Sequence, residues 1–300
     1  MGAGSALTHR PSVRIVTTLS FPRAILVHTG DKQQMRIAVC IKQVPDSEAR
    51  LRVAEGGLWI DEEDMPFVIN ESDEYALEEA LAIAEKSDNG EVVVFSLGGE
   101  RVREALRKAL AMGAHRAVHL QDPAFEGGDC VATARALAAA IQREECGLVL
   151  TGSQSEDAGF GATASMIAGH LGMPQAWLVM GLQIEDEGKS AVVTREMESG
   201  MNELFRLKLP AVVEVQAGIN RPRYASLKGI MAAKRKEITE VSPADLNLSP
   251  EDVGKVGSRT EMVSVFIPES SKGAQMLEGD AAQAAAALVE KLRTEARVLS

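Results

Sequence analysis

Short apolar runs alternate with helical segments along the first half of the chain. The run RIAVCI at residues 36–41 is almost wholly apolar, which is typical of a strand buried on both faces of a parallel sheet. Further strands are predicted at 91–97, 117–120 and 148–151, and helices at 76–84, 101–112, 130–144 and 163–171. Because parallel strands are joined by crossover helices, this alternation predicts an α/β fold with an open, mostly parallel sheet.

The pattern changes after Pro174. The alternation of polar and apolar residues predicts antiparallel strands at 182–184, 191–195, 202–207 and 211–215, with a turn at Glu187-Gly188. Residues 220–236 are predicted to form a loop and a short basic helix, since Pro222 lacks the backbone donor of a central strand. Beyond them, residues 245–258 are typical of a linker, 261–267 of a strand and 280–297 of an amphipathic helix.

Four loops adjoin the predicted parallel strands and their helices. They cover residues 42–47, 70–73, 96–99 and 152–163, and a hairpin is predicted between the first two, at 51–60. Ligands of open α/β sheets bind beyond the carboxyl ends of the strands, so we expect the four loops to meet at one edge. Asn70 or Ser72 is expected to cap the helix that follows.

Composition excludes several function classes. The 300 residues carry 32 Lys and Arg against 43 Asp and Glu, and this net charge of −11 argues against nucleic acid as a partner. Cys40, Cys130 and Cys146 are far apart and the five histidines are scattered, so neither a disulfide framework nor a metal site is predicted. No apolar run reaches 18 residues, so we expect no insertion into a membrane. No catalytic constellation stands out, which favours a carrier or scaffold over an autonomous enzyme.

Residues 1–34 differ from the rest, with four basic residues, one acid and many Ser and Thr. They are typical of an organelle transit peptide, or else they precede the true start at Met35. We favour the second interpretation, because a strand begins directly at Met35, and in either case we expect poor order and no function. The predicted division is therefore a leader at 1–34, an α/β domain at 35–240 and a C-terminal arm at 241–300. The expected location is the bacterial cytoplasm, or the mitochondrial matrix if the leader is a transit peptide.

Small and hydroxyl-bearing residues precede the helix predicted at 163–171. We call this segment, GSQSEDAGFGATAS at 152–165, the glycine-rich loop. Small residues let the backbone approach a phosphate, which hydroxyls and helix N-terminal N–H groups bind. Asp157 either caps the turn or meets a ribose hydroxyl. The loop lacks the GxxxxGK[ST] of a Walker A motif, and the alternative to a nucleotide site is an ordinary loop with helix capping.

The segment NRPRYASLKGIMAAKRK at 220–236 is called the docking segment here. Leu227 stands among polar neighbours, ahead of Lys228 and the basic run at 234–236. An exposed Leu with a basic rim is a plausible anchor for an acidic partner protein. The alternative is a solvated charged helix whose Leu227 packs back on its own domain.

Several motifs, in the right order, resemble the beta subunits of electron transfer flavoproteins. RIAVCIKQVPD is similar to the opening strand of that family, INESDEYALEEAL to its INPxDxxALEEAL segment and TGSQSEDAGFGATASMIAGHLGMPQA to its nucleotide loop. INRPRYASLKGIMAAKRKEI closely resembles its partner-recognition loop, and VTREMESGMNELFRLKLPAVVEV its signature strand pair. The resemblance covers about residues 35–300, and the departures from the family pattern are Glu71, Ala162, Ala164, Ser199, Phe205, Glu214 and Ala232.

The resemblance implies an adenine-nucleotide alpha-hydrolase-like, Rossmann-type sheet with a small antiparallel extension and a C-terminal arm that packs on a partner. In this family the alpha subunit carries the redox-active FAD, and the beta subunit holds AMP, or a second FAD in electron-bifurcating members. The cofactor-binding residues implied here are Ala38, Cys40, Lys42, Asn70, Glu71, Ser72, Asp73, Ser96, Gln154, Asp157, Gly159, Phe160, Gly161, Ala162, Thr163, Ala164 and Ser165. The implied partner-docking residues are Tyr224, Leu227, Lys228, Met231, Lys234 and Arg235.

The implied function is electron transfer without an active site of its own. An acyl-CoA or related dehydrogenase, as in fatty acid beta-oxidation, would dock at Leu227, and electrons would pass through the FAD of the alpha subunit towards a membrane quinone oxidoreductase. One alternative is a bifurcating subunit whose second FAD accepts hydride from NADH. An alternative from another class is a stand-alone adenine-nucleotide-binding protein of the universal-stress or PP-loop type.

Overall fold

A computed structural model describes residues 35–268 and 274–299, apart from the side chain of Ser199. The expectation for residues 1–34 lies outside this part of the chain. The described residues form two compact units, a main unit of residues 35–50 and 62–262 and a smaller unit of residues 51–61, 263–268 and 274–299.

The main unit is built on one large sheet. The strands of the described chain are β1 (Arg36–Cys40), β2 (Gln43–Pro45), β3 (Phe67–Ile69), β4 (Glu91–Leu97), β5 (Arg116–Leu120), β6 (Leu148–Gly152), β7 (Gln175–Glu185), β8 (Ser190–Glu196), β9 (Asn202–Lys208), β10 (Ala211–Val215) and β11 (Ile238–Val241). Nine of these form the sheet, in the order β11-β5-β4-β1-β6-β10-β7-β8-β9. The strands from β11 to β7 are parallel, and β8 and β9 continue the sheet antiparallel. The predicted open, mostly parallel sheet with an antiparallel extension is confirmed.

Helices cover both faces of the parallel part. The helices of the described chain are α1 (Glu71–Lys86), α2 (Val102–Met112), α3 (Cys130–Arg143), α4 (Thr163–Leu171), α5 (Leu227–Ala233), α6 (Gly254–Gly257) and α7 (Ala281–Thr294). Alternate residues of β1 point to opposite faces: Ile37 and Val39 join the core cluster of α1 and α2, and Ala38 and Cys40 join that of α3 and α4. The sheet is therefore the middle layer between two apolar cores. Among the described helices, none combines the length and the apolar character that a bilayer span needs.

The prediction that Ala211–Val215 is antiparallel was wrong. This strand, β10, lies inside the sheet and is parallel to both β6 and β7. All five of its residues are buried, as expected for a strand covered on both faces. The nearly continuous apolar run of β10 is typical of a buried parallel strand, but the prediction followed the alternating pattern of the neighbouring strands.

Three further predictions about connecting segments need correction. Residues 43–45, predicted as loop, form β2, which pairs with β3 in a separate two-stranded antiparallel sheet. Residues 261–267 form no strand, since no neighbouring strand pairs with this segment in the described chain. Residues 245–258 are not a linker, because they form short helical turns and α6, and Val253 and Leu246 are buried in the core of α3 and α4.

The smaller unit contains the predicted hairpin and the last helix. The hairpin at 51–60 is reduced to one antiparallel bridge between Val53 and Ile60. The N–H of Val265 donates to the Gly57 carbonyl at 2.7 Å. Helix α7 begins with a capping box, in which the Asp280 side chain accepts from the Gln283 N–H and the Gln283 side chain accepts from the Asp280 N–H.

Candidate functional site

The carboxyl ends of β1 and β6 lie side by side near the centre of the sheet, and the edge that they form is called the crevice here. These two strands are neighbours, but the chain reaches β6 only after placing β4 and β5 on the other side of β1. Helix α1, which follows β1, and helix α4, which follows β6, belong to the cores on opposite faces. Such a topological switch point is where open α/β sheets bind ligands.

Asp73 joins the two ends of this crevice. One carboxylate oxygen accepts the Lys42 N–H at 2.8 Å, just after β1, and the other accepts the Gly152 N–H at 2.9 Å, at the end of β6. Burial raises the pKa of Asp73 to about 7, against the effect of these two hydrogen bonds, which favour the ionised form. Asp73 therefore connects the first turn of α1 to both strand ends.

Gly152 permits this close approach. A Cβ at this position would lie 2.2 Å from the Ser72 Oγ and 2.7 Å from the Ser72 backbone carbon. Any other residue would push α1 away from β6, so the contact requires glycine.

Asn70 and Ser72 hold the glycine-rich loop against α1. The Asn70 Nδ2 and the Ser72 Oγ both donate to the Gln154 carbonyl, at 2.9 and 3.0 Å. The Asn70 Oδ1 accepts the Glu156 N–H at 2.9 Å. Asn70 occupies the N-cap position of α1, as predicted for Asn70 or Ser72, but its side chain makes no capping bond. Their side chains bind the loop instead.

The Lys42 ammonium group lies against the glycine-rich loop. The Lys42 Nζ is 2.6 Å from the Asp157 carboxylate and 3.5 Å from the Ser155 Oγ. Burial opposes ionisation of Asp157, but the Lys42 ammonium and the neighbouring donors outweigh it and hold its pKa below the usual value. Asp157 also accepts the N–H of its neighbour Ala158.

Helix α4 begins without a capping side chain. Its N-cap residue is Ala162, and the helix starts at Thr163, as predicted. Gly159 and Gly161 adopt φ of 62° and 58°, the left-handed conformation that glycine adopts without strain. The first N–H groups of α4 therefore have no side-chain acceptor at the end of the glycine-rich loop, an arrangement that suits an anion.

The docking segment projects its apolar side chains into solvent. Leu227 is 78% exposed, Tyr224 is 96% exposed and Met231 is 58% exposed, and Lys228, Lys234 and Arg235 are exposed as well. Leu227 therefore does not pack back on the main unit. Lys236 differs from the other basic residues, because its Nζ donates to the Leu110 and Ala114 carbonyls at the end of α2.

Helix α1 fixes the start of the docking segment. The Arg223 guanidinium binds both Glu78 and Glu85, and the Glu78 carboxylate also accepts the Arg223 N–H. These two carboxylates, Glu85 first, raise the pKa of Arg223 above its usual range. The Asn220 Nδ2 donates to Glu79 and to the Tyr75 carbonyl, both at 3.0 Å.

Comparison with known proteins identifies the family. The model of the electron transfer flavoprotein domain matches residues 57–246. The chain is 42% identical to the electron transfer flavoprotein subunit beta of Methylophilus methylotrophus, over 85% of this chain and 97% of that protein. The chain belongs to the family of electron transfer flavoprotein beta subunits. Membership implies an alpha-subunit partner and an association with a flavin or nucleotide.

Two other relatives cover a similar share of the chain. The electron transfer flavoprotein subunit beta of Mycobacterium leprae is 40% identical over 81% of this chain and 93% of that protein. The caffeyl-CoA reductase-Etf complex subunit CarD of Acetobacterium woodii is 39% identical over 86% of this chain and 98% of that protein. The resemblance inferred from the motifs is confirmed.

The structure brings together most of the cofactor-binding residues that the family resemblance implies. Lys42, Asn70, Ser72, Asp73 and the glycine-rich loop meet at the crevice through the bonds described above, and the Ser96 Oγ donates to the Ile41 carbonyl at 2.8 Å beneath them. Glu71, Gln154, Gly159, Phe160, Gly161 and Ser165 are exposed, and Ala162 and Thr163 are half-buried.

Three of the implied residues belong to the apolar core of α3 and α4. Ala38 is fully buried, and Ala164 and Cys40 are nearly so. Burial raises the pKa of the Cys40 thiol far above its usual range, so this thiol is inert. Among the described residues, no cluster of His, Cys, Asp and Glu could hold a metal ion.

Sequence reasoning noted Glu214 only as a departure from the family pattern. It is buried in β10, and desolvation raises its pKa to about 7, although a hydrogen bond from the Leu178 N–H favours the ionised form. The available signal was a single acid within the apolar strand AVVEV.

Proposed function

We propose that this chain is the beta subunit of a heterodimeric electron transfer flavoprotein. It braces the FAD-bearing alpha subunit, holds AMP in the crevice between β1 and β6, and docks dehydrogenases at the docking segment. The observation that carries the proposal is the convergence of Asn70, Ser72 and Asp73 on the glycine-rich loop in a chain of this family.

The residues of the crevice fit an adenylate. The phosphate would be held by the Thr163 hydroxyl and by the N–H groups at the start of α4, which no side chain caps. Lys42 adds a positive charge beside the loop. The exposed side chain of Gln154 supplies an amide group for the uncharged part of the nucleotide.

The docking segment supports the partner half of the proposal. Leu227 stands on a helix whose N-cap, Ser226, accepts the Gly229 N–H at 3.0 Å, and Arg223 fixes the preceding residues to α1. A rigid, exposed apolar anchor with a basic rim suits an acidic partner surface. We propose acyl-CoA or related dehydrogenases as this partner, a membrane quinone oxidoreductase as the final acceptor, and the bacterial cytoplasm as the location. The relatives reported above, which are bacterial, support the location.

A second candidate function is an electron-bifurcating subunit that holds a second FAD in place of AMP. It is favoured by the similarity to CarD, which is named as a subunit of a caffeyl-CoA reductase-Etf complex. Ala162 and Ala164 replace the usual Gln and Gly of the nucleotide loop, so the family pattern does not decide between AMP and FAD in this chain. The cofactor content of the complex decides between them.

Cofactor content tests the proposal. The chain is co-expressed with its alpha subunit, the complex is purified and denatured, and the released FAD and AMP are quantified by chromatography. One FAD and one AMP per heterodimer is the expected result. Two FAD and no AMP would favour the bifurcating alternative. A chain that purifies alone with its own nucleotide would favour a stand-alone nucleotide-binding protein.

A matched pair of variants tests the phosphate assignment in the same complex. Thr163→Val removes a hydroxyl of the proposed site at nearly constant shape, and Thr133→Val makes the same change within α3. We expect the AMP content per FAD to fall in the first variant alone. Equal AMP content in both would show that Thr163 does not hold the phosphate.

A further inference from the structure

A cavity of about 430 Å³ adjoins the glycine-rich loop on the side away from β1. Ser153, Gln154 and Gly161 of the loop form one wall, and Trp177 and Glu214, from β7 and β10, form the other. This volume lies within the range of small-molecule sites, roughly 300–1,000 Å³. Because the cavity shares Gln154 with the crevice, a nucleotide in the crevice lies beside its entrance.

Glu214 gives the cavity its chemical character. Its residue is only 6% exposed, and the Leu178 N–H is the donor that the described structure supplies to its carboxyl group. Leu178 adopts φ of 53° at an irregularity in the pairing of β7 with β10, a conformation that is costly for a bulky side chain. A carboxylate has about four acceptor positions, so most of its hydrogen-bonding capacity is available to a ligand.

The lining excludes two kinds of ligand group. The residues that line the cavity include no Lys, Arg or His, so a phosphate would face a carboxylate without a compensating cation. A wholly apolar group would bury the Glu214 carboxyl without partners, which is costly. The lining instead combines acceptors with groups that both donate and accept, namely the amides of Gln154 and Gln216 and the hydroxyl of Ser153. Hydroxyl groups of a ligand match this combination, because they too donate and accept.

We propose that this cavity is a subsite for adjacent hydroxyl groups of the nucleotide held by the glycine-rich loop, and that Glu214 accepts their hydrogen bonds. The inference rests on the proposed function, because it presupposes a nucleotide in the crevice. Two sources share this chemistry, the ribose of an adenylate and the ribityl chain of a flavin. Glu214 would then be a specificity-determining residue that favours hydroxylated ligands over their deoxy analogues.

Binding measurements on the full-length complex test the assignment, with the nucleotide of this chain removed and the FAD of the alpha subunit left in place. Titration calorimetry compares AMP, 2′-deoxy-AMP, 3′-deoxy-AMP and FAD on the wild type and on Glu214→Gln. The Gln side chain keeps an oxygen that can accept the Leu178 N–H, so the fold is retained. Glu198→Gln, an exposed position in the turn between β8 and β9, is the matched control.

If the ribose occupies the cavity, wild type binds AMP at least about tenfold more tightly than one of the deoxy analogues, as for a hydrogen bond to a charged group. Glu214→Gln then weakens AMP by about tenfold and reduces this discrimination to less than threefold, and the control matches wild type. If the ribityl chain occupies it, the same variant weakens FAD by about tenfold and leaves AMP unchanged.

The results that overturn the inference are distinct from those that overturn the proposed function. Wild type that binds AMP and both deoxy analogues equally, together with FAD affinity that Glu214→Gln does not change, would refute the subsite and leave the proposed function intact. Wild type that binds neither AMP nor FAD would refute both.

Discussion

Asn70→Ala tests whether the side chain of the first residue before α1 holds the glycine-rich loop. The change removes two bonds to the loop, from Nδ2 to the Gln154 carbonyl and from the Glu156 N–H to Oδ1, both at 2.9 Å. It removes no helix cap, because Asn70 makes no capping bond. It also removes the bond from Nδ2 to the Ser72 Oγ at 2.9 Å. At about 1 kcal/mol for each of the three bonds, the expected loss of unfolding free energy is about 3 kcal/mol, or a fall in Tm of roughly 6–12 °C.

The same variant should weaken nucleotide binding. AMP binding requires the loop in its bound position, so the free energy of the two bonds to the loop, about 2 kcal/mol, is lost from the affinity, which is roughly a 30-fold increase in Kd. Urea unfolding of the complex gives the stability, and titration calorimetry with AMP gives the affinity. Ser72→Ala removes the bond to the Gln154 carbonyl and the bond from the Asn70 Nδ2, so it should show about two-thirds of the stability loss.

Asn202→Ala is the matched control, because Asn202 is exposed at the start of β9. It should change the unfolding free energy by no more than about 0.5 kcal/mol. The reasoning is refuted if Asn70→Ala unfolds like this control and binds AMP with wild-type affinity.

Four further predictions concern other parts of the main unit. Leu227→Ala should slow electron acceptance from the dehydrogenase without changing flavin content, and unchanged transfer kinetics would remove Leu227 as the anchor. Arg223→Ala should lower the unfolding free energy by about 2 kcal/mol, less than the loss of a fully buried ion pair because Arg223 is partly exposed. It should also speed amide hydrogen exchange in residues 220–226, and exchange at the wild-type rate there would contradict the positioning role of Arg223. The pKa of Glu214 in the folded protein is about 7, above its usual value of about 4.5. Its contribution to the unfolding free energy is therefore complete below about pH 4.5 and is lost as the pH rises to about 7. Urea unfolding at several pH values should show that Glu214→Gln lacks this fall in unfolding free energy, and an unchanged pH dependence would exclude Glu214 as its source. Gly254→Ala should lower the unfolding free energy by more than about 2 kcal/mol, since φ is 55° and a Cβ would lie 2.0 Å from a backbone oxygen. Gly147→Ala, which has open space around its Cβ, should leave the unfolding free energy nearly unchanged. Equal melting temperatures of the two variants would refute this packing argument.

The sequence predicts the layers of the fold and the edge at which the site forms. Helix α4 has the predicted bounds, 163–171, because its flanking Gly residues and apolar periodicity are local signals. The meeting of the four loops followed from one general property of parallel sheets. The direction of β10 was missed because strand direction depends on which neighbour a strand pairs with, and local alternation does not report this.

The bonds within the site could not be derived in the same way. Asp73 resembles an ordinary first-turn acid in the sequence, and only the approach of β6 to α1 makes it accept the Gly152 N–H. Lys236 resembles the rest of a basic run, yet it ends against the carbonyls of α2. Glu214 carried a signal, a lone acid among buried apolar residues, but the cavity beside it depends on the irregular pairing of β7.

The contacts of α1 restrict how its length can vary. Its first turn binds the glycine-rich loop through Ser72 and Asp73, and Glu78 and Glu85, seven positions apart on one face, bind Arg223. One residue inserted after Asp73 would rotate the rest of the helix by about 100° and advance it by about 1.5 Å, which would turn both glutamates away from Arg223. A deletion would rotate them the opposite way. Natural relatives that keep both sets of contacts should therefore differ in this helix by substitution and not by single-residue insertions or deletions.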